Sequence, residues 1–314
     1  GATPTRDLDR NRTLSGVSAT GDRFFYVNRL ASAGDGRDLR WERASLECCP
    51  PNLVRFLASM PGLIYAQGPT GAVYVNLYVS SESTFAIGAE KLSIAVTSEM
   101  PWDGKSTITV SAAPTGKSAI KLRIPGWARN QAVPGGLYSY TSKLDAPTTV
   151  SVNGTRVSAT PDALGYVSLD RIWTKGDVVE VNFPIEPRRV LADTQVKDAR
   201  DRISVERGPI VYCAEWPDLE TKKALEVLVD SEAALRPAAD QRRFGGVTML
   251  ATQARSIANP SAPTRSIDLV PYYLWANRGA GEMSVWLRTR EYAPGDVGPA
   301  GGLIFYVDPY YATD

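Results

Sequence analysis

The sequence predicts a mainly β protein built from antiparallel β-sandwich domains. From residue 72 onward, apolar residues recur at period two in a series of short runs. Turn-forming pairs separate the runs: Asp103-Gly104, Pro125-Gly126, Asn153-Gly154 and Gly176-Asp177. Strands this short and this regularly punctuated suit sandwiches better than a parallel sheet, which needs long helical crossovers.

Taken in order, residues 1–20 are polar and lack periodicity. Phe24-Phe25-Tyr26-Val27-Asn28 is a short aromatic run of extended character. A helix is expected over roughly 51–60. Leu53, Phe56, Leu57 and Met60 fall at i, i+3, i+4 and i+7, one apolar face. Pro50 or Pro51 suits its first position, where no N–H is needed, and Pro61-Gly62 stops it. Strands follow at 72–79, with Val73, Val75, Leu77 and Val79 alternating, then around Leu92, Ile94 and Val96, and around Ile108 and Val110. Others are expected at 120–124, 150–153, 166–169, 178–183, 202–205 and 210–213. Residues 217–245, richer in Ala, Glu and Lys, read as loop with some helix. Strands resume at 247–251, 267–270 and 283–287. The final stretch, with Gly298-Pro299-Ala300-Gly301-Gly302-Leu303-Ile304-Phe305-Tyr306-Val307, resembles a linker opening a short accessory module of bacterial surface proteins.

Composition narrows the function. A chain of 314 residues has room for two or three domains. Its 43% hydrophobic and 22% charged content is that of a soluble globular protein. A net charge of +1 gives no electrostatic case for nucleic acid or acidic lipid. No apolar stretch reaches the roughly 18 residues of a membrane span, and no signal peptide is visible at the start. Three cysteines cannot build a disulfide framework. The absence of histidine removes Ser-His-Asp chemistry, Cys-His dyads and His-ligated metals from this chain. Acid–base work falls to carboxylates, Tyr, Lys or Cys.

Glu47-Cys48-Cys49-Pro50-Pro51-Asn52 is the most specific local feature. Adjacent cysteines are poor disulfide partners, because a trans peptide sets their Cα atoms about 3.8 Å apart, below the roughly 4.4 Å where disulfide geometry begins. At the start of a helix, unpaired N–H groups and the positive end of the dipole favour a thiolate. Metal ligation or nucleophilic attack fits; the bland reading is an inert, buried thiol pair. Cys213, in Ile210-Val211-Tyr212-Cys213, reads as a buried small hydrophobe. Trp102, Trp127, Trp173 and Trp275 fit core packing better than a sugar-stacking platform. Asp103 and Asp177 belong to turns, and Arg207 and Arg278, beside glycines, brace them.

These residues belong to an ordered series. Phe25-Tyr26-Val27-Asn28, Cys48-Cys49-Pro50-Pro51-Asn52, Val73-Tyr74-Val75-Asn76, Pro101-Trp102-Asp103-Gly104 and Leu122-Arg123-Ile124-Pro125-Gly126-Trp127 come first. Val152-Asn153-Gly154, Trp173-Thr174-Lys175-Gly176-Asp177, Arg207-Gly208-Pro209-Ile210-Val211-Tyr212 and Pro271-Tyr272-Tyr273-Leu274-Trp275-Ala276-Asn277-Arg278-Gly279 complete it. From about 21 to 290 the series resembles the β-L-arabinofuranosidase family of glycoside hydrolases, family 127 and its relatives. The resemblance implies β-sandwich domains preceded by a short helical remnant of an (α/α)6 catalytic barrel. It places the remnant at 1–66, a first sandwich at 67–170 plus 271–290, a second at 171–270, and a linker or further module at 291–314.

The resemblance further implies a retaining glycosidase with Cys48 as nucleophile, Cys48 and Cys49 as zinc ligands, and Tyr26 against the substrate. The substrate would be a plant-type or microbial glycan carrying L-arabinofuranose or a related sugar. The remaining zinc ligands (a Glu-x-Cys element), the acid/base glutamate and the sugar-binding histidines of the family have no equivalent here, so a barrel segment or partner chain would complete the site. Neither nucleic acid nor membrane is an expected partner, and the accessory motif favours a periplasmic or secreted location. The alternative is a non-catalytic β-sandwich fragment with a glycan-binding or structural role.

Overall fold

The computed structural model of the chain describes residues 18, 20, 23, 29–34 and 49–290. Within them it is mainly β, as the alternation predicts. The elements fall into two compact units.

The middle unit comprises Val54–Gln131 and Lys143–Glu186. A helix, α1 (Cys49–Ser59), and a single helical turn, α2 (Pro61–Ile64), lead into β2 (Tyr65–Gln67). Strands β3 (Val73–Val75), β4 (Ser81–Ile87), β5 (Glu90–Ser98), β6 (Lys105–Ala112) and β7 (Lys117–Arg123) follow. After an excursion of the chain come β9 (Thr149–Val152), β10 (Thr155–Val157), β11 (Tyr166–Ile172) and β12 (Val178–Asn182). They form a six-stranded sheet, β10-β9-β12-β6-β5-β4, and a four-stranded sheet, β11-β7-β3-β2. Every second residue of β5, β6 and β7 is buried (Leu92, Ile94 and Val96; Ile108 and Val110; Ile120 and Leu122), each contributing about 1.5–3 kcal/mol of burial. The pairing is antiparallel except for β3 on β7. The predicted strand over 72–79 is cut short at Val75: Asn76 and Leu77 turn their N–H groups back to the carbonyl of Ile64, and the chain re-enters extended pairing only at Ser81.

Turn chemistry fixes the hairpins. Asn153 and Gly154 both have positive φ, 50° and 77°, the requirement of the two-residue turn between β9 and β10. Tyr78 is buried, and its hydroxyl donates to the carbonyl of Arg123 at 3.0 Å. Trp173 is 2% exposed and donates its indole N–H to the carbonyl of Ser118. Trp127 packs with Phe183.

The C-terminal unit takes Ala132–Ser142, the described residues from Pro187 on, and the described residues up to Leu53, so the division falls within α1. Its strands are β1 (Ala31–Ala33), β8 (Tyr138–Tyr140), β13 (Pro187–Ala192), β14 (Arg202–Arg207), β15 (Ile210–Glu215), β16 (Val227–Val229), β17 (Arg236–Asp240), β18 (Val247–Ser256), β19 (Arg265–Pro271), β20 (Glu282–Ser284) and β21 (Leu287–Arg288). All eleven belong to one hydrogen-bonded sheet. It folds back on itself because two strands change partners midway. One end of β14 pairs β15, the other β21; β15 pairs β19 through Tyr212 and Cys213 and β20 through Ala214 and Glu215. Strands that switch sheets make the corners of a sandwich. Every residue of β15 is buried, as expected of a strand covered on both faces.

Residues 171–186 complete the middle unit through β12, and β19, β20 and β21 pair with β15, β18 and β14. The expected division joins 271–290 to the first sandwich and begins the second at 171. Strand pairing between distant segments, invisible in local alternation, sets the division between Glu186 and Pro187 instead. Residues 217–245, expected as loop with some helix, supply β16, β17 and two short 3-10 turns.

Candidate functional site

The described part of α1 runs from Cys49 to Ser59 and includes Pro50 and Pro51. Cys48 and Tyr26 lie outside the described residues, and of Cys49 only the backbone is described. The helix hands over directly to α2 and the edge strand β2. Ser59 Oγ donates to the Phe56 carbonyl at 2.8 Å. Below it, Tyr65 and Ser81 share a hydroxyl–hydroxyl bond of 2.8 Å, and burial pushes the Tyr65 phenol above its usual range. On α1, Val54 is 57% and Leu57 43% exposed, an uncovered apolar surface among the described residues.

The motif residues that follow are structural. Asn76 accepts the Tyr166 hydroxyl at 2.7 Å, and the Tyr166 ring packs edge-on to Tyr74. Trp127, Trp173 and Trp275 are buried and Trp102 is half-buried, the packing role the sequence favours. Asp103 takes the Lys105 N–H and Asp177 caps its own turn. Tyr272 donates its hydroxyl to the carbonyl of Arg29. Cys213 is fully buried, and burial pushes its thiol well above the usual range, so it is chemically inert.

A partly buried charge network in the C-terminal unit was hidden from the sequence. Glu215, 1% exposed, accepts the Ala276 N–H at 2.9 Å and pairs with Arg278. Arg278 also forks onto Asp218. Arg243 ties Asp218 to Asp240 and Asp268. Burial works against the Arg278 cation, but its hydrogen bonds to Asp218 and the charge of Glu215 outweigh it and hold it above its ordinary range. Every charge in the network has an opposite partner, the condition for tolerating burial. The sequence beside Gly279 suggests only a turn-bracing role for Arg278. The available signal was Glu215 itself, a carboxylate closing the apolar strand 210–214.

Among the described residues no group of three or more His, Cys, Asp or Glu is placed to hold a metal. No described helix is long and apolar enough to cross a membrane.

Comparison with known proteins agrees with this architecture. Residues 72–185 match the model of the "Beta-L-arabinofuranosidase, GH127 middle domain" and residues 187–288 that of the "Glycoside hydrolase family 127 C-terminal domain"; the step between them coincides with the division between the two units. A non-reducing end beta-L-arabinofuranosidase of Bifidobacterium longum is 31% identical, over 88% of this chain and 44% of that protein. A solved family 127 beta-arabinofuranosidase superposes with a TM-score of 0.80 at 38% identity, and a family 127 beta-L-arabinofuranosidase from Geobacillus stearothermophilus with 0.74 at 31%. Each alignment covers 88% of this chain and 44% of the relative, so the chain spans less than half their length. With both domain models matched in order along one continuous stretch, the chain belongs to the β-L-arabinofuranosidase family of glycoside hydrolases, family 127, and carries its middle and C-terminal domains.

Proposed function

We propose that this chain serves a retaining glycoside hydrolase of the β-L-arabinofuranosidase type, in which Cys48 is the nucleophile. The observation that carries the reading is the Cys48-Cys49-Pro50-Pro51 element, with α1 described from Cys49 onward, just ahead of the matched middle domain. The Cys48 sulfur attacks the anomeric carbon; a C–S bond forms as the glycosidic C–O bond breaks, and the leaving oxygen takes a proton from an acid. Water then gives a proton to that acid's conjugate base and displaces the sulfur from the opposite face, so two inversions give net retention. Tyr26 contacts the sugar, and the substrate is a glycan ending in L-arabinofuranose or a related sugar.

Two soft thiolates suit zinc, which favours sulfur and four protein ligands in a closed site. Cys48 and Cys49 supply two, and the others lie outside the described residues. When bound, zinc would keep the Cys48 thiol ionised near neutral pH. A helix start at these residues would contribute in the same direction, since its free N–H groups favour a thiolate.

The test is to join the chain to a family catalytic barrel and measure release of L-arabinose from a β-L-arabinofuranoside. Cys48→Ser is expected to lower kcat at least about a thousandfold, with the melting temperature unchanged. Equal rates in both proteins would remove Cys48 from the mechanism.

The alternative, a non-catalytic sandwich with a supporting role, draws on Tyr74, Trp127 and Trp173, motif residues that serve packing. It expects no difference between the joined proteins because neither would turn over.

A further inference from the structure

Asn153-Gly154 is the single Asn-Gly pair of the chain, and the glycosidase reading does not use it. In such a pair the backbone nitrogen after the asparagine can attack the side-chain amide, because glycine puts no side chain in the way. The structure leaves one reactant free and holds the other. Gly154 is exposed, and an added Cβ there would meet nothing within 4 Å. Among the described residues its N–H donates to no backbone acceptor. The Asn153 side-chain amide is held at both ends. Its Nδ2 donates to Asp177 Oδ1 at 2.8 Å, and its Oδ1 accepts the Val178 N–H at 2.8 Å.

The holding groups are themselves anchored. The Asp177 carboxylate also accepts the Thr174 N–H and hydroxyl. Asn153 donates its own N–H to the Val178 carbonyl at 2.8 Å. Attack by the Gly154 nitrogen closes a nearly planar five-membered ring, and closure takes the asparagine side chain out of any staggered rotamer. Both side-chain hydrogen bonds resist that rotation. One of them ends on a charged acceptor, which is strong enough to hold such an opening back about tenfold or more.

We propose that Asn153 is a deamidation site that the fold keeps latent, with Asp177 as the restraint. In the reaction the Gly154 nitrogen loses its proton to water and attacks Asn153 Cγ. A C–N bond forms, the Cγ–Nδ2 bond breaks, and Nδ2 leaves as ammonia with a proton from water. Water then opens the succinimide at either carbonyl, to aspartate or isoaspartate. Either product removes the donor that faced Asp177 and sets a second carboxylate near it, and like charges at that range repel. Isoaspartate also adds an atom to the main chain of a two-residue turn. Conversion therefore weakens the join of the β9–β10 hairpin to β12. None of this depends on the glycosidase reading, so the two fail separately.

The experiment is incubation of the 314-residue chain at mildly alkaline pH, followed by peptide mapping for aspartate and isoaspartate at position 153. The folded wild type should convert at least about tenfold more slowly than the chain held unfolded in urea. Asp177→Ala should convert at least about tenfold faster than folded wild type. Asp177→Asn, which keeps the shape and loses the charge, should fall between them. Tyr78→Phe removes a hydrogen bond from the same unit without touching Asn153, and should stay within about twofold of wild type. Asn153→Asp, which makes one product directly, should melt below wild type at neutral pH. Equal rates in wild type and both Asp177 variants would overturn the proposal, as would equal rates in the folded and unfolded wild type. Acceleration by Tyr78→Phe as large as that by Asp177→Ala would overturn it too, since conversion would then run through general loosening of the unit. An unchanged melting temperature in Asn153→Asp would overturn the weakened join.

Discussion

Asp177 accepts hydrogen bonds from the Thr174 N–H at 2.9 Å, the Thr174 hydroxyl at 3.1 Å and the Asn153 amide at 2.8 Å. The Asn153 amide, then the Thr174 N–H, hold its carboxyl below the usual range. Asp240 is held at about 2, first by the Arg243 guanidinium. A depressed folded-state pKa contributes stability that is present above the unfolded value, about 3.9, and lost as pH falls through the folded one. The melting temperature should therefore fall between about pH 4 and pH 2. Asp177→Ala should flatten that slope and cost about 2 kcal/mol at neutral pH, measured as a shift of the urea midpoint. Asp177 was legible as a turn residue, because the Thr-Lys-Gly-Asp spacing is local. Glu215 was legible only as a carboxylate closing an apolar strand: its neutralising Arg278 is 63 residues away, and no local pattern names that partner.

Among elements, the hairpin turns and strand alternation were the most readable, since each depends on neighbours within a few residues. Gly104 shows what was missed. Its place in a turn was plain from Asp103-Gly104, but the reason for glycine lies across the sheet. A Cβ there would overlap the backbone carbonyl of Phe183, whose N–H donates to the Gly104 carbonyl at 3.0 Å. Backbone cannot swing aside as a side chain can. Gly104→Ala is expected to cost about 3 kcal/mol, whereas Gly116→Ala, with nothing within 4 Å of the added carbon, should change stability by less than about 0.5 kcal/mol. Parallel thermal melts compare them. The same limit applies to α1: its spacing predicted the helix, but what covers an apolar face depends on distant chain.

At the scale of the molecule, the middle unit is interrupted. The chain leaves it after Gln131, lays β8 against β13 of the C-terminal unit, and returns at Lys143. Tyr140 on β8 donates its hydroxyl to Glu206 at 2.8 Å, and the Arg188 guanidinium lies 3.4 Å from the centre of its ring. A three-residue strand among Pro, Gly and Ser carries too little pattern to be assigned a partner from sequence, so this exchange was not legible. A fragment cut at residue 187, where the C-terminal family model begins, should melt below the same fragment carrying residues 132–142 as a fused strand, by about 1–2 kcal/mol of lost cation–π and hydrogen-bond stabilisation. The sealed position of Cys213, at the point where β15 changes partners, has a practical consequence. An alkylating reagent can reach that sulfur only once the surrounding sandwich opens, so its modification rate keeps time for unfolding of the C-terminal unit. Adducts formed sooner than that belong to the other two sulfurs, which makes the chain its own calibrated reporter without any engineered label.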